Sequence, residues 1–217
     1  MKQATLAFSR ALSQKTISRN KTAMRFSQVV FFAALITAIY LFAFAIMFWL
    51  LMPLQSHVAS AYVAFAQVTC FVALPHGVRV IATWLLRWRA IFFLIPGTAL
   101  EAVVLADHFS LGARDALLMQ VGFATNSFIA FEISRAAGHD AYASPKTFAN
   151  WRSVVLVGAV AALINRLFLS HVDFGFSSRG FTVWLWANAL VGSTVGLVAW
   201  LFLVRIVMRR FVSRLSS

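Results

Sequence analysis

Glu101, Glu132 and Arg166 each stand inside a run of apolar residues that would otherwise suit hydrocarbon. Ionisable groups at such depth are costly, and they face the interior of a bundle, a partner or a water-filled cavity. Measured along a helix from the inner ends of their runs, Glu101 lies about 16 Å deep and Arg166 about 20 Å. These depths match, so a Glu101–Arg166 pair is the expected internal contact, either as part of a site or as a staple between helices. Glu132 sits one turn from the end of its run with Arg135 three residues on, which predicts an ion pair at the membrane surface.

A second cluster is Leu74-Pro75-His76-Gly77-Val78-Arg79, which interrupts an apolar stretch from Val58 to Leu86 that is too long for one straight crossing. Proline removes a backbone donor and glycine loosens the chain, so a kink or a broken helix is predicted here. Ile95-Pro96-Gly97-Thr98 repeats the device in the next run. Two adjacent interrupted helices point to an internal cavity, and the alternative is a pair of kinks that serve packing.

Gln67, Asn126, Asn165 and Asn188 add amides to four different runs, either as cavity groups or as hydrogen-bonding glue between helices. Gly192 and Gly196 have the close-packing GxxxG spacing, for a contact within the chain or between two copies. His57, His108 and His171, with Asp107 and Asp173, fall in connections on one side. Were those loops to converge they would suit a divalent metal or proton sensing, although histidine is also an ordinary interface residue. The expected ligand-binding or polar network is therefore His76, Arg79, Glu101, Asn126, Arg166 and Asn188. No catalytic residue and no metal ligand is assigned, the cofactor is left unknown, and enzyme is the least supported class.

The elements that must position these groups are helices. The 217 residues are 61% hydrophobic and 12% charged, unlike a soluble domain. Repeated apolar runs of 18 or more residues each suffice to cross roughly 30 Å of hydrocarbon, and continuous runs exclude the alternation of a β-barrel. Spans are predicted over 29–52, 58–86, 90–106, 117–134, 153–170 and 181–204. The fold class is thus an all-α, polytopic membrane helical bundle of about six transmembrane helices. Residues 1–28 form a basic segment, 29–204 the transmembrane domain and 205–217 a basic tail.

A net charge of +13 could indicate nucleic acid, but the basic residues sit between the apolar runs, which argues against that partner and for a lipid bilayer. With both termini in the cytoplasm, sixteen of the nineteen Lys and Arg fall on the inner side, Arg79, Arg87 and Arg89 among them. Only Arg114 and Arg179 lie outside, and Arg166 is left within a span. Trp49, Trp84, Trp88, Trp151, Trp184 and Trp186 fall near span ends, as interfacial aromatics should. The N-terminal segment, acid-free and amphipathic, reads as lying on anionic lipid; its composition also resembles a mitochondrial transit peptide. The single cysteine, Cys70, allows neither a disulfide nor a Cys-based metal site within one chain. No P-loop or dinucleotide fingerprint is present.

The runs Leu74 to Arg79, Leu85-Leu86-Arg87-Trp88-Arg89-Ala90-Ile91 and Pro96-Gly97 resemble the signature of bacterial membrane-associated sensor domains of the MASE type, although Pro75 and Gly77 are one residue closer. Phe123 to Ala130 followed by Arg135, and Trp184 to Gly192, are similar to that family's small-residue and tryptophan-rich spans; Asn188 replaces an acid often found there. The resemblance implies a multi-pass protein of the bacterial inner membrane that senses a small molecule. With no output domain of its own, it would signal through a protein partner in the membrane or cytoplasm. The six-helix layout also resembles substrate-binding subunits of energy-coupling-factor transporters, whose docking spacing Ala34 and Ala38 share. A third class is an accessory or assembly subunit of a larger membrane complex.

Overall fold

A computed structural model describes residues 26–58, 72–143, 151–172 and 179–215, and these are helical throughout apart from short connections. The order is α1 (Phe26–Ala45), a π-helical segment (Ile46–Leu51), α2 (Met52–Val58), α3 (Leu74–Leu86), α4 (Arg89–His108), α5 (Ala113–Ala136), α6 (Trp151–Leu169) and α7 (Arg179–Leu215). Among the described residues five helices are long and apolar enough to cross a membrane: Val29–Gln55, Arg89–His108, Ala113–Ala136, Trp151–Leu169 and Ala189–Ile206.

The first crossing outruns its expected end at 52. Pro53 has no amide hydrogen and would break an α-helical ladder, but the chain widens into a π turn just before it. The Met52 amide donates to the Met47 carbonyl, and a new α-helix begins at Met52 with Pro53 in its first turn, where the missing donor costs little. Pro96 behaves differently from expectation as well. α4 runs through it unbroken: the N–H that Pro96 lacks would have served the Phe92 carbonyl, and Thr37 Oγ1 of α1 donates to the adjoining Phe93 carbonyl over 3.1 Å.

Among the described residues the interruption lies one step earlier than the Pro75 motif, and residues 59–71 of the same predicted run lie outside those described. Val72 bends, Ala73 is non-helical, and Leu74–Arg79 forms the opening turns of α3 with Pro75 near its start. Proline is thus a helix initiator here. α7 receives this start: the Ala73 amide donates to the Gly192 carbonyl over 2.9 Å, and a Cβ on Gly196 would overlap the Ala73 carbonyl. The Gly192/Gly196 face is therefore spent on packing within the chain. Gly77 returns the contact, since a Cβ there would lie 2.8 Å from the Gly196 carbonyl.

Among the described residues three apolar clusters fill the bundle. One joins α3, α5, α6 and α7 through Val80, Phe131, Val157 and Leu197; a second joins α1, α3 and α4 through Tyr40, Ala82 and Leu94. The third packs Ala102 of α4 on Met119 and Phe123 of α5. At one end of the bundle the connection after α5 folds back over α3. Tyr142 stacks on Phe131 and donates to Glu132 over 2.9 Å, and Arg87 lies 4.8 Å above the Tyr142 ring. Burial, reinforced by the Glu132 bond, holds the Tyr142 hydroxyl well above its ordinary pKa. The expected Glu132–Arg135 pair forms at 3.3 Å. Trp84 departs from the interfacial pattern: it is buried in the first cluster, while Trp49, Trp88 and Trp151 stay exposed.

Because the obstacle at Gly196 is backbone, Gly196→Ala cannot be absorbed by a rotamer change. It is expected to cost about 1–3 kcal/mol, as overpacking does, whereas Gly112→Ala, which meets nothing within 4 Å, should be near neutral. Thermal unfolding of the purified chain in detergent reads both.

Candidate functional site

A cavity of about 130 Å³ opens between the helices and takes lining from the π-helical segment and from α2 to α7. Met47 and Met52 come from the two ends of the π turn, Ala73 and Pro75 from the start of α3. Leu105 and Phe109 belong to the end of α4, Met119 and Phe123 to α5, Leu169 to α6, and Ala189 to α7. Its polar wall is Arg79, Glu101, Asn165, Arg166 and Ser193.

Local sequence explains how each group arrives. The Tyr40 ring packs on Gly97, where a Cβ would sit only 2.8 Å from it, so glycine at this position lets α1 approach α4 closely. Glu101 lies four residues further on the same face of α4. The Tyr40 hydroxyl consequently donates to Glu101 Oε2, both groups being fully or almost fully buried. Arg79 projects from the second turn of α3 and is 4% exposed; its guanidinium carbon lies 4.8 Å from the centre of the Phe123 ring. That cation–π contact satisfies a ring face but no N–H.

The Arg79 Nε and Nη1 atoms and the Arg166 Nε atom are buried without a hydrogen-bond acceptor. Arg166 is 7% exposed. Among the described residues the ion pairs are Arg87–Asp140 and Glu132–Arg135, so the expected Glu101–Arg166 pair is replaced. Glu101 takes its hydrogen bond from Tyr40, and Arg166 faces the same cavity without an acceptor at Nε. Arg79 also leaves its expected place: it is not an inner-loop charge but a member of the buried wall.

The remaining expected residues divide. Asn126 is buried behind the cavity, donating from Nδ2 to Asn165 Oδ1 over 2.8 Å and accepting from Ser127 Oγ. Asn165 is thereby fixed as a lining group. His76 is buried but does not line it; its Nε2 donates to the Gly158 carbonyl of α6 over 3.0 Å. Asn188 belongs to α7, and its side chain lies outside those described, as do those of His57, Gln67 and Asp173. His108 and His171 are exposed, and among the described residues no three His, Cys, Asp or Glu side chains gather to hold a metal.

Tyr40 escaped the sequence reading. It is one of only three tyrosines and the lone phenol in its apolar run, which is the signal that could have found it. Met47 and Met52 carried no signal, since nothing in the sequence spells a π turn.

No family model, curated protein or solved structure matches the chain.

Removing one member of a buried hydrogen-bonded pair leaves the other unsatisfied, at about 1–3 kcal/mol. Tyr40→Phe should therefore lower thermal stability in detergent. Adding Glu101→Leu to it should lower stability further, because Arg79 then loses the buried carboxylate whose field it feels.

Proposed function

We propose that the chain is a six-crossing protein of a bacterial inner membrane, with both ends cytoplasmic, that binds a small molecule in this cavity and reports it to a separate partner. The observation that carries the reading is the pair of buried guanidinium groups, Arg79 and Arg166, lining one cavity with nitrogen atoms that meet no acceptor. Buried polar groups are ordinarily satisfied, and a buried charge without partners costs several kcal/mol, so such a wall is what a binding site needs before its ligand arrives.

α7 is the element suited to reporting. It contributes Ala189 and Ser193 to the cavity and grips the start of α3 through Gly192 and Gly196. It then runs without a break to Leu215, beyond the end of its apolar span at Ile206. A ligand that shifts the start of α3 shifts α7 with it. This arrangement fits the resemblance to MASE-type sensor domains, whose partner would be a cytoplasmic kinase or cyclase.

A second reading, the substrate-binding subunit of an energy-coupling-factor-like transporter, is favoured by Ala34 and Ala38, which share an exposed face of α1 at the docking spacing. Its partners would be a membrane coupling protein and ATPases. The reporting role ranks first because α7 joins the cavity wall to the opposite end of the bundle.

Native mass spectrometry of the gently solubilised full chain tests binding itself. The expected result is a small noncovalent adduct on the wild type that is lost in Arg79→Gln and Arg166→Gln. Recovery of a bare chain only within one large stoichiometric complex would support the accessory-subunit class instead.

A further inference from the structure

We infer that the ligand of this cavity is a small organic monoanion, a carboxylate on a short apolar body, held between Arg79 and Arg166. The inference rests on the binding-protein reading above and adds the chemical class of the occupant.

Charge is the first argument. Two guanidinium groups and one carboxyl group line the cavity, so cationic charge is in excess even with Glu101 ionised. The sole carboxylate among the lining residues is engaged by the Tyr40 hydroxyl, while Arg79 Nε and Nη1 and Arg166 Nε meet no acceptor. Guanidinium forks match carboxylate geometry, and charge-assisted bonds of this kind are the strong ones.

Backbone electrostatics point the same way. Ala73 and Pro75 bring the N-terminal end of α3 to the cavity wall, with no side chain capping it. That end carries the positive pole of a 13-residue helix. Broken helices that end inside a membrane bundle present this pole to anionic groups. Arg79, one turn along the same helix and without acceptors at Nε and Nη1, adds its own positive potential at that wall.

Size and the remaining lining define the body. A cavity of roughly 150 Å³ takes up benzene, so about 130 Å³ suits a molecule of about six non-hydrogen atoms. A phospholipid headgroup is larger than that. Met47, Met52, Met119 and Phe123 offer an adaptable apolar surface for the rest of the molecule. Divalent inorganic anions have no use for that half of the wall.

Butyrate, butan-1-ol and butylammonium have the same length and differ in charge, so they separate the contributions. Binding of each to the full-length protein in nanodiscs of zwitterionic lipid would be measured by ligand-observed NMR. Butyrate is expected to bind at least tenfold more tightly than either isostere, with roughly ten- to hundredfold loss in Arg79→Gln and in Arg166→Gln. The wild-type comparison needs no variant, so it stands even if a substituted chain fails to fold. Equal binding of butyrate and butan-1-ol would overturn the anion assignment and leave the binding-protein reading in place. Absence of binding by all three would overturn both. Loss of butyrate binding on adding phosphatidylglycerol to the nanodisc would move the anion to a lipid headgroup and overturn the size argument.

Discussion

A guanidinium group removed from water must be repaid by acceptors, and in this bundle two such groups are removed together. The desolvation penalty for each ion is several kcal/mol even after relaxation. Phe123 offers Arg79 a ring face, and Glu101 contributes its field, but neither fills the vacant donor positions. Everything else about the interior follows from keeping these groups where they are. Gly97 admits Tyr40 so that Glu101 is held, Asn126 fixes Asn165, and the break at Val72–Ala73 brings a helix end to the wall. A bundle built only for packing would place leucine at these positions.

The close contacts between α3 and α7 give this wall a mechanical connection. Gly77 and Gly196 let the two backbones meet, and one hydrogen bond crosses from Ala73 to Gly192. Contacts between backbones have no rotamers with which to absorb a displacement, so under the proposed reporting role a displacement at the start of α3 would be passed to α7. α7 is continuous from Arg179 to Leu215, with no proline to dissipate it.

The helical class, the long apolar crossings and the polar residues worth examining were legible because a membrane makes apolar length and buried charge conspicuous. Glu101 and Arg166 were singled out by the cost of a charge at depth and Arg79 by its place in the Pro75–Gly77 interruption, and the three line one cavity. What was not legible was geometry between helices. The matched depths of Glu101 and Arg166 implied a pair, but depth carries no information on rotation about each helix axis, and Tyr40 took the carboxyl group instead. Prolines misled for a related reason. Pro96 stands inside a continuous helix whose Phe93 carbonyl takes a donor from Thr37, Pro53 follows a π turn, and Pro75 opens a helix. Identical residues thus served three backbone roles, decided by neighbours rather than by local sequence.

The central claim is that Arg79 and Arg166 face a shared cavity as an incomplete anion site, and a high-resolution experimental structure in lipid nanodiscs tests it most directly. The account predicts density for a compact anionic molecule within hydrogen-bonding distance of both guanidinium groups, with Glu101 still bonded to Tyr40. A structure in which Arg166 closes on Glu101 and side chains fill the space between α3 and α6 would contradict it.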